Sequence, residues 1–163
     1  MNTTKEKRAI EYLKSFEPKR EPYYLCYSGG KDSDCILALA RLAGVNFEAV
    51  HNLTTVDAPE TVHYVQQQKD VHIDYPHTSM WELIVKQKYP PIRTERYCCK
   101  YLKEDNGRGR VKITGVRWAE SARRKDNQGL VTVIGKPATT QKAAQEIGAN
   151  FMSTPKGGGS ERR

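Results

Sequence analysis

Short apolar blocks alternate with polar blocks along most of the sequence, and several of the apolar blocks predict strands. Residues 23–27 (YYLCY) form an apolar and aromatic run that stops abruptly at Ser-Gly-Gly, as a buried strand running into a tight turn does. Residues 47–52 (FEAVHN) alternate and predict a second strand. Further strands are predicted at residues 71–74, 110–114 and 129–134.

Helical patterns separate these strands. The segment from Asp32 to Gly44 opens with acidic residues and closes on glycine, which predicts a helix directly after the first strand. Ser79 and Glu82 fit a capping box ahead of an apolar stretch, which predicts a helix that ends near Lys88. The remaining helices are predicted at residues 5–16, 61–68, 98–104 and 139–147.

The helix at residues 61–68 has a predicted start of its own. Asp57 is placed to cap it, and Pro59 and Glu60 fit its first turn. Strands that alternate with helices at this spacing predict right-handed βαβ units. The expected fold is α/β, a doubly wound and mostly parallel sheet of about five strands with helices on both faces.

The length of 163 residues suits one ordinary domain. We expect an α/β domain over residues 1–150 and a flexible tail over residues 151–163, which ends in the glycine-rich sequence KGGGSERR. The longest apolar stretch, residues 35–40, is far shorter than the roughly 20 residues that a membrane-spanning helix needs, so no membrane contact is expected. The N-terminus lacks the apolar core of a signal peptide, which favours the cytoplasm.

Net charge and cysteine content limit the kinds of partner and of site that the chain can have. The net charge of +8 favours anionic partners, among them nucleotides, sulfate esters and nucleic acid. The four cysteines are expected to be reduced in the cytoplasm, so a disulfide framework is not predicted. Packing is the favoured role for Cys26 and Cys35, whereas metal, redox and packing roles stay open for Cys98 and Cys99.

The segment SGGKDS follows the first predicted strand and opens the next helix. Its residues are Ser28, Gly29, Gly30, Lys31, Asp32 and Ser33. Two adjacent glycines allow the backbone to approach a phosphate closely, and the helix that follows adds its partial positive end. Lys31 adds a full positive charge, the two serines add hydroxyl groups, and Asp32 is a candidate ligand for a Mg²⁺ ion that bridges the phosphates.

Other loops that bind phosphate do not fit this spacing. A Walker loop needs glycine five positions before the Gly-Lys pair, where this sequence has Leu25, and no G-x-G-x-x-G pattern passes through Gly29 or Gly30. An ordinary turn between a strand and a helix also uses Gly-Gly and charged residues. Six polar or glycine residues in succession at the end of a strand favour phosphate binding over that alternative.

Together with three later segments, SGGKDS resembles the PP-loop superfamily and, within it, the phosphoadenosine phosphosulfate (PAPS) reductase-like proteins. The segment DAPET at 57–61 is similar to the acidic Pro-Glu-Thr segment of that family. RYCCKYLK at 96–103 resembles its Arg-x-Cys-Cys segment, and TGVRWAESAR at 114–123 its Gly-x-Arg-x-x-Glu-Ser segment. The resemblance implies an adenine nucleotide alpha hydrolase-like fold.

The resemblance also implies roles for individual residues. The SGGKDS segment would hold the phosphate or sulfate end of an adenine nucleotide, which is ATP, adenosine phosphosulfate or PAPS. Arg117, Arg123 and Arg124 would face the anionic substrate, since arginine binds phosphate and sulfate with paired hydrogen bonds, and Glu120 would orient one of them. A solvated basic face is the alternative for these arginines. Glu60, Cys98 and Cys99 lie in matching segments and are secondary candidates.

The resemblance is incomplete where the family's reductase chemistry is concerned. Sulfonucleotide reductases of the family use a cysteine in a C-terminal tail as nucleophile, and this sequence has no cysteine after Cys99. Members with an iron-sulfur cluster use a second, downstream cysteine pair, so Cys98 and Cys99 alone do not complete a four-thiolate site. We therefore expect an enzyme that cleaves the nucleotide at its α-phosphate or transfers sulfur, without a complete cluster.

Two other functions stay open at this stage. One is a nucleotide-binding module or subunit without turnover, which would work with a protein partner or as a homo-oligomer. The other is a protein that binds or thiolates nucleic acid, which the positive charge favours. The basic residues that favour it are Arg108, Arg110, Arg117, Arg123, Arg124, Arg162 and Arg163.

Overall fold

The structure is a computed structural model, and it describes residues 4–104, 106–107, 109–117, 132–135 and 150–153. The chain divides into two compact units, Met1–Gly115 and Val116–Arg163. Among the described residues, no helix combines the length and the apolar character that crossing a membrane would require.

The first unit is built on a four-stranded sheet. Its strands are β1 (Tyr23–Cys26), β2 (Phe47–Asn52), β3 (Val71–Asp74) and β4 (Lys112–Ile113). Their order in the sheet is β3-β2-β1-β4, and all three pairings are parallel. The predicted α/β fold with a mostly parallel sheet is therefore confirmed. The bounds of β2 and β3 agree with the prediction, while β4 is shorter than the predicted residues 110–114.

The helices of this unit follow the predicted order. They are α1 (Thr4–Ser15), α2 (Lys31–Ala43), α3 (Pro59–Gln66), α4 (Met80–Gln87) and α5 (Tyr97–Cys99), which continues as a π-helix over Lys100–Glu104. The capping box of α4 is confirmed, because the Ser79 hydroxyl accepts from the Glu82 N–H and the Glu82 carboxylate accepts from the Ser79 N–H. The predicted helix at 139–147 lies outside the described residues.

The predicted cap of α3 is wrong. The N-cap residue is Ala58, which offers no side-chain cap. Asp57 instead accepts a hydrogen bond from the N–H of Thr54 at 2.5 Å and closes the turn after β2. Aspartate serves both purposes well, since its short side chain can bond either a helix start or a turn of its own neighbours. Here the Asp57 carboxylate stabilises the turn, in which Thr55 has φ 66°.

The two faces of the sheet are covered by different segments. On one face a core of buried residues joins β1 to α2 and α3, with Leu25, Leu37 and Val65 almost fully buried. On the opposite face the ring of Tyr24 lies under the chain at Gly107, where an added Cβ would come within 2.7 Å of it. The segment between β3 and β4 thus crosses this second face, as a doubly wound sheet requires.

The order of the strands places a switch point beside β1. From β1 the chain proceeds to β2 and then β3 on one side, and returns to pair β4 with the other side of β1. In open parallel sheets of this kind, ligands bind outside the carboxyl ends of the strands at the point where the order reverses. The SGGKDS segment leaves β1 at that point.

The second unit contains two described strands, β5 (Thr132–Gly135) and β6 (Asn150–Ser153), which pair in parallel. The predicted strand at 129–134 corresponds to β5, but its partner is β6, and the sheet of the first unit has four strands where about five were predicted. Residues 151–153, assigned to a tail from the sequence, belong to β6.

Alkaline pH is expected to destabilise the protein through the tyrosines of β1. Burial raises the pKa of Tyr23 to about 12, and its hydroxyl donates to the Leu13 carbonyl at 2.9 Å. An unfolded tyrosine ionises near a pKa of about 10. The folded state therefore keeps a proton that the unfolded state loses, and this stabilisation, complete below pH 10, falls as the pH rises towards 12.

The measurement is thermal unfolding between pH 9 and 12. In Tyr23→Phe the melting temperature should fall less steeply with pH than in the parent protein. The variant should melt at a lower temperature at pH 9, because it lacks the hydrogen bond to the Leu13 carbonyl, worth about 1 kcal/mol. Tyr12→Phe is the matched control, since Tyr12 is partly exposed on α1. Equal pH slopes for Tyr23→Phe and the parent protein would contradict the assignment.

Candidate functional site

The loop after β1 packs against α3 more closely than a side chain at Gly29 would allow. Gly29 has φ 76°, in the left-handed region that favours glycine. A Cβ atom added there would lie 3.0 Å from Cγ2 of Val65 and 3.2 Å from Cγ2 of Thr61, both on α3. Glycine is therefore required at this position by its conformation and by its close contact with α3.

Gly30 is the N-cap of α2, and the helix that follows turns its N-terminus outward. The first bond of the helix runs from the Asp34 N–H to the Gly30 carbonyl at 3.0 Å, so the N–H groups of the preceding turn point out of the helix end. Ser28, Gly30 and Lys31 are exposed. The predicted loop is thus an accessible helix N-terminus, which favours negative charge.

Ser33 fixes the shape of this loop from below. Its buried hydroxyl donates to the Gly30 carbonyl at 2.7 Å and accepts from the Gly30 N–H at 3.1 Å. The Ser28 hydroxyl donates to Ser33 Oγ at 3.2 Å. Both serines are therefore part of an internal network that holds the loop in one conformation.

A carboxylate in the first turn of α2 ties three elements together. Asp34 accepts a hydrogen bond from the Tyr27 hydroxyl at the end of β1, and a second from the Tyr64 hydroxyl on α3 at 3.0 Å. Burial, followed by the contact with Asp34, raises the pKa of Tyr27 far above its usual value, so this phenol remains a donor. The loop is thereby braced between β1, α2 and α3.

The backbone just before the loop has a further support. The buried ring of His51 on β2 places Nδ1 3.1 Å from the carbonyl oxygen of Tyr27. A carbonyl only accepts, so Nδ1 carries the proton in this contact. Nε2 of His51 is buried, and it has no hydrogen-bond partner within the part of the chain that the structure describes.

The end of β4 also contacts the loop region. A Cβ atom added to Gly115 would lie 3.0 Å from the backbone carbon and oxygen of Asp32. Gly115 lies two residues after the end of β4, and it is the glycine of the Gly-x-Arg segment that resembles the family. The carboxyl ends of β1 and β4 therefore meet at the first turn of α2, at the switch point.

Lys31 and Asp32 supply opposite charges at this position. Lys31 is exposed and is the first residue of α2, whereas Asp32 is half-buried. Among the described residues no group of three or more His, Cys, Asp or Glu side chains could hold a metal ion by itself. Magnesium at nucleotide sites often uses one or two carboxylates together with substrate phosphates, and the role of Asp32 as such a ligand stays a prediction.

The secondary candidates lie elsewhere in the first unit. Glu60 is exposed in the first turn of α3, and Cys98 and Cys99 are half-buried, adjacent thiols on α5. Cys26 is half-buried on β1, and burial raises the pKa of its thiol, which keeps it protonated and agrees with a packing role. Cys35 is exposed on α2.

The predicted substrate arginines belong to the second unit. Arg117 is exposed, and Glu120, Arg123 and Arg124 lie outside the described residues. Their roles stay predictions.

Several residues that shape the site were not singled out from the sequence. They are Tyr27, Asp34, His51, Tyr64 and Val65. Tyr27 and Asp34 flank the SGGKDS segment, so their proximity to it was visible. The contacts made by the others join positions more than 20 residues apart, and no local pattern signals them.

Comparison with known proteins agrees with this geometry. A family model described as the phosphoadenosine phosphosulfate reductase domain matches residues 22–135, which is more than half of the chain and extends from β1 to β5. No curated protein and no solved structure matches the chain. A parallel sheet with SGGKDS at its switch point, within a matched segment of this length, shows that the chain belongs to the phosphoadenosine phosphosulfate reductase domain family.

Proposed function

We propose that the chain binds an adenine nucleotide, either ATP or a sulfated nucleotide such as adenosine phosphosulfate or PAPS, with its phosphate or sulfate end on the loop from Ser28 to Ser33. The observation that supports this best is Gly29, where a left-handed backbone packs against α3 without room for a side chain. This packing leaves the N-terminus of α2 open to an anion. Membership of the family favours an adenine nucleotide as that anion.

The proposed reaction is cleavage of the nucleotide at its α-phosphate or transfer of sulfur. Lys31 and the N–H groups at the start of α2 would stabilise negative charge as it accumulates on the departing pyrophosphate or sulfur-containing group. A bound Mg²⁺ ion would neutralise part of the same charge, and Asp32 is its proposed protein ligand. The loop would act through its rigidity, because the Ser33 and Asp34 contacts form before the ligand binds.

A binding panel tests this proposal. Calorimetry with ATP, adenosine phosphosulfate and PAPS, each with Mg²⁺ and with a chelator, should show saturable binding of at least one nucleotide. If Asp32 holds the ion, removal of Mg²⁺ should weaken the binding of ATP more in the parent protein than in Asp32→Asn. Failure of all three nucleotides to bind would refute the proposal.

Product analysis of the same mixtures separates an enzyme from a binding module. Release of pyrophosphate and AMP from ATP, or of sulfite from a sulfated nucleotide with a thiol reductant present, would support an enzyme. Tight binding with no product under any of these conditions would instead support the non-catalytic module.

A further inference from the structure

The connection between β3 and β4 holds much of the chain's positive charge. Residues 86–103 contain six cationic side chains and one carboxylate, Glu95, so this segment has a net charge of +5 out of the chain's +8. All six cationic residues are exposed. They are Lys86, Lys88, Arg93, Arg96, Lys100 and Lys103.

None of these charges makes an ion pair with another described residue. Within the described part of the chain, none of the six approaches a carboxylate, whereas Arg41 pairs with Asp70 and Arg110 pairs with Glu48. Glu95 accepts a hydrogen bond from the Tyr89 hydroxyl. Among the described residues the segment therefore presents uncompensated charge, which costs self-repulsion in the absence of an anionic partner.

The position of these charges is fixed by the local fold. The Tyr97 hydroxyl donates to the Tyr89 carbonyl at 2.6 Å, and the two rings meet edge to face with centroids 5.8 Å apart. Ile92 and Glu95 exchange backbone hydrogen bonds across the tip of the loop, next to Arg93. Leu102 is buried and anchors the π-helix. The cations thus lie at the end of α4, on a closed loop and on a helical turn.

Exposed aromatic rings lie within or next to the same stretch of the chain. Trp81 is 67% exposed on α4, Tyr101 is 46% exposed on the π-helix, and Tyr89 is 38% exposed. The ammonium group of Lys100 lies 5.7 Å from the centre of the Tyr101 ring. We call the six cations and these three rings the basic–aromatic surface.

We propose that the basic–aromatic surface binds single-stranded nucleic acid. Lysine and arginine would contact the phosphates, and the exposed rings would stack on unpaired bases, the combination that proteins use to bind single strands. A duplex also offers phosphates, but its base faces are stacked on one another and cannot stack on the exposed rings. A duplex would therefore bind more weakly than a single strand. The proposal is independent of the nucleotide site, because it uses no residue of the loop from Ser28 to Ser33.

The structure also changes which residues this function would use. Among the arginines that favoured nucleic acid in the sequence, Arg110 is engaged internally: it pairs with Glu48, donates to the Pro22 carbonyl at 3.0 Å and lies 5.2 Å from the centre of the Tyr24 ring. Arg117 is described, and the others lie outside the described residues. The proposal therefore rests on a different set of cations.

The test measures the fluorescence anisotropy of a labelled, mixed-sequence, single-stranded DNA at several salt concentrations, without added adenine nucleotide. A length of about 20 nucleotides is enough to cover one binding site of this kind. Affinity should fall steeply with salt. In Arg93→Ala/Lys100→Ala the slope of log K against log salt should decrease by roughly 0.7 for each cation removed. In Trp81→Ala/Tyr101→Ala the affinity should fall by roughly 30-fold or more at every salt concentration, with little change in slope.

Control variants distinguish binding by this surface from a general effect of net charge. Lys19→Ala/Arg20→Ala removes the same charge from exposed positions between α1 and β1 and should bind like the parent protein. RNA of the same sequence should bind with similar affinity, since phosphates and base faces are common to both. All variants alter exposed side chains, so thermal unfolding and the binding of adenine nucleotides should not change.

Four results would overturn the proposal. They are no binding of the single strand, equal losses in the Lys19/Arg20 control, tighter binding of the matched duplex, and equally tight binding of poly-glutamate, which would indicate a surface for acidic proteins. If the parent protein binds no adenine nucleotide, that result would count against the proposed function and would leave the single-strand proposal unaffected.

Discussion

Gly29→Ala is expected to reduce affinity for the adenine nucleotide by roughly 10- to 100-fold, because a displaced loop would lose a hydrogen bond to a charged phosphate or sulfate group, worth about 1.5–3 kcal/mol. A left-handed conformation costs a residue other than glycine about 1–2 kcal/mol. The new Cβ would also lie 3.0 Å from Cγ2 of Val65, which is fully buried and has no room to retreat. The loop would have to move away from α3, and the N-terminus of α2 would lose its alignment with the ligand.

Gly44→Ala provides the matched control for this prediction. Gly44 ends α2 with φ 66°, nearly the same backbone conformation, and an added Cβ would find no atom within 4 Å. This variant should lose about 1 kcal/mol of unfolding free energy and keep its nucleotide affinity. Calorimetry and thermal unfolding of both variants measure the difference. Parent-like affinity in a folded Gly29→Ala protein would show that the loop does not form the site.

The sequence predicts the part of the fold where several local patterns agree. At β1, an apolar run, a Gly-Gly turn and an acidic first helical turn all indicate the same strand, loop and helix, and the structure has them within a residue or two. The bounds of β2 and β3 were also predicted, because polar turns border both strands. Local agreement of this kind identifies elements and places the loop at a strand end.

Local patterns say less about which distant elements touch. The contacts of Tyr64 with Asp34 and of Gly115 with Asp32 join separate elements, and they depend on the order of strands in the sheet. A single sequence contains no periodicity that encodes such pairs. The same reason explains β5, whose strand character was predicted but whose pairing with β6 was not.

The errors at the level of single residues come from competition between local structures. Asp57 was a reasonable helix cap, but the turn after β2 uses its carboxylate. Arg110 appeared to be an open cation, but the chain folds back over Tyr24 and pairs it with Glu48. Charge counted along the sequence therefore identifies a class of partner, whereas the exposure and pairing of each side chain locate the surface that would bind it.

Lys31→Ala is expected to separate binding from stability. Lys31 is exposed at the first position of α2, and within the described residues it makes no hydrogen bond or ion pair. A cation at a helix N-terminus opposes the helix dipole, which costs a few tenths of a kcal/mol in the protein without ligand. Removing the charge should thus leave the unfolding free energy unchanged or slightly higher.

The effect on the ligand should be opposite in sign and larger. A hydrogen bond between a cation and a phosphate or sulfate oxygen contributes about 1.5–3 kcal/mol, so nucleotide affinity should fall roughly 10- to 100-fold. Lys31→Arg keeps the charge but changes its geometry and should lose less. Lys69→Ala, which removes an exposed cation from the turn before β3, should bind like the parent protein.

A role in binding an anion would explain why a lysine stands where it opposes the helix dipole, as expected where function and stability conflict. Calorimetric affinity and denaturant unfolding of the same three variants test the two halves of this prediction together. Equal losses of affinity in Lys31→Ala and Lys69→Ala would indicate a general effect of net charge. A drop in stability in Lys31→Ala without a drop in affinity would make Lys31 a structural residue and would leave the binding of the anion to the backbone of the loop.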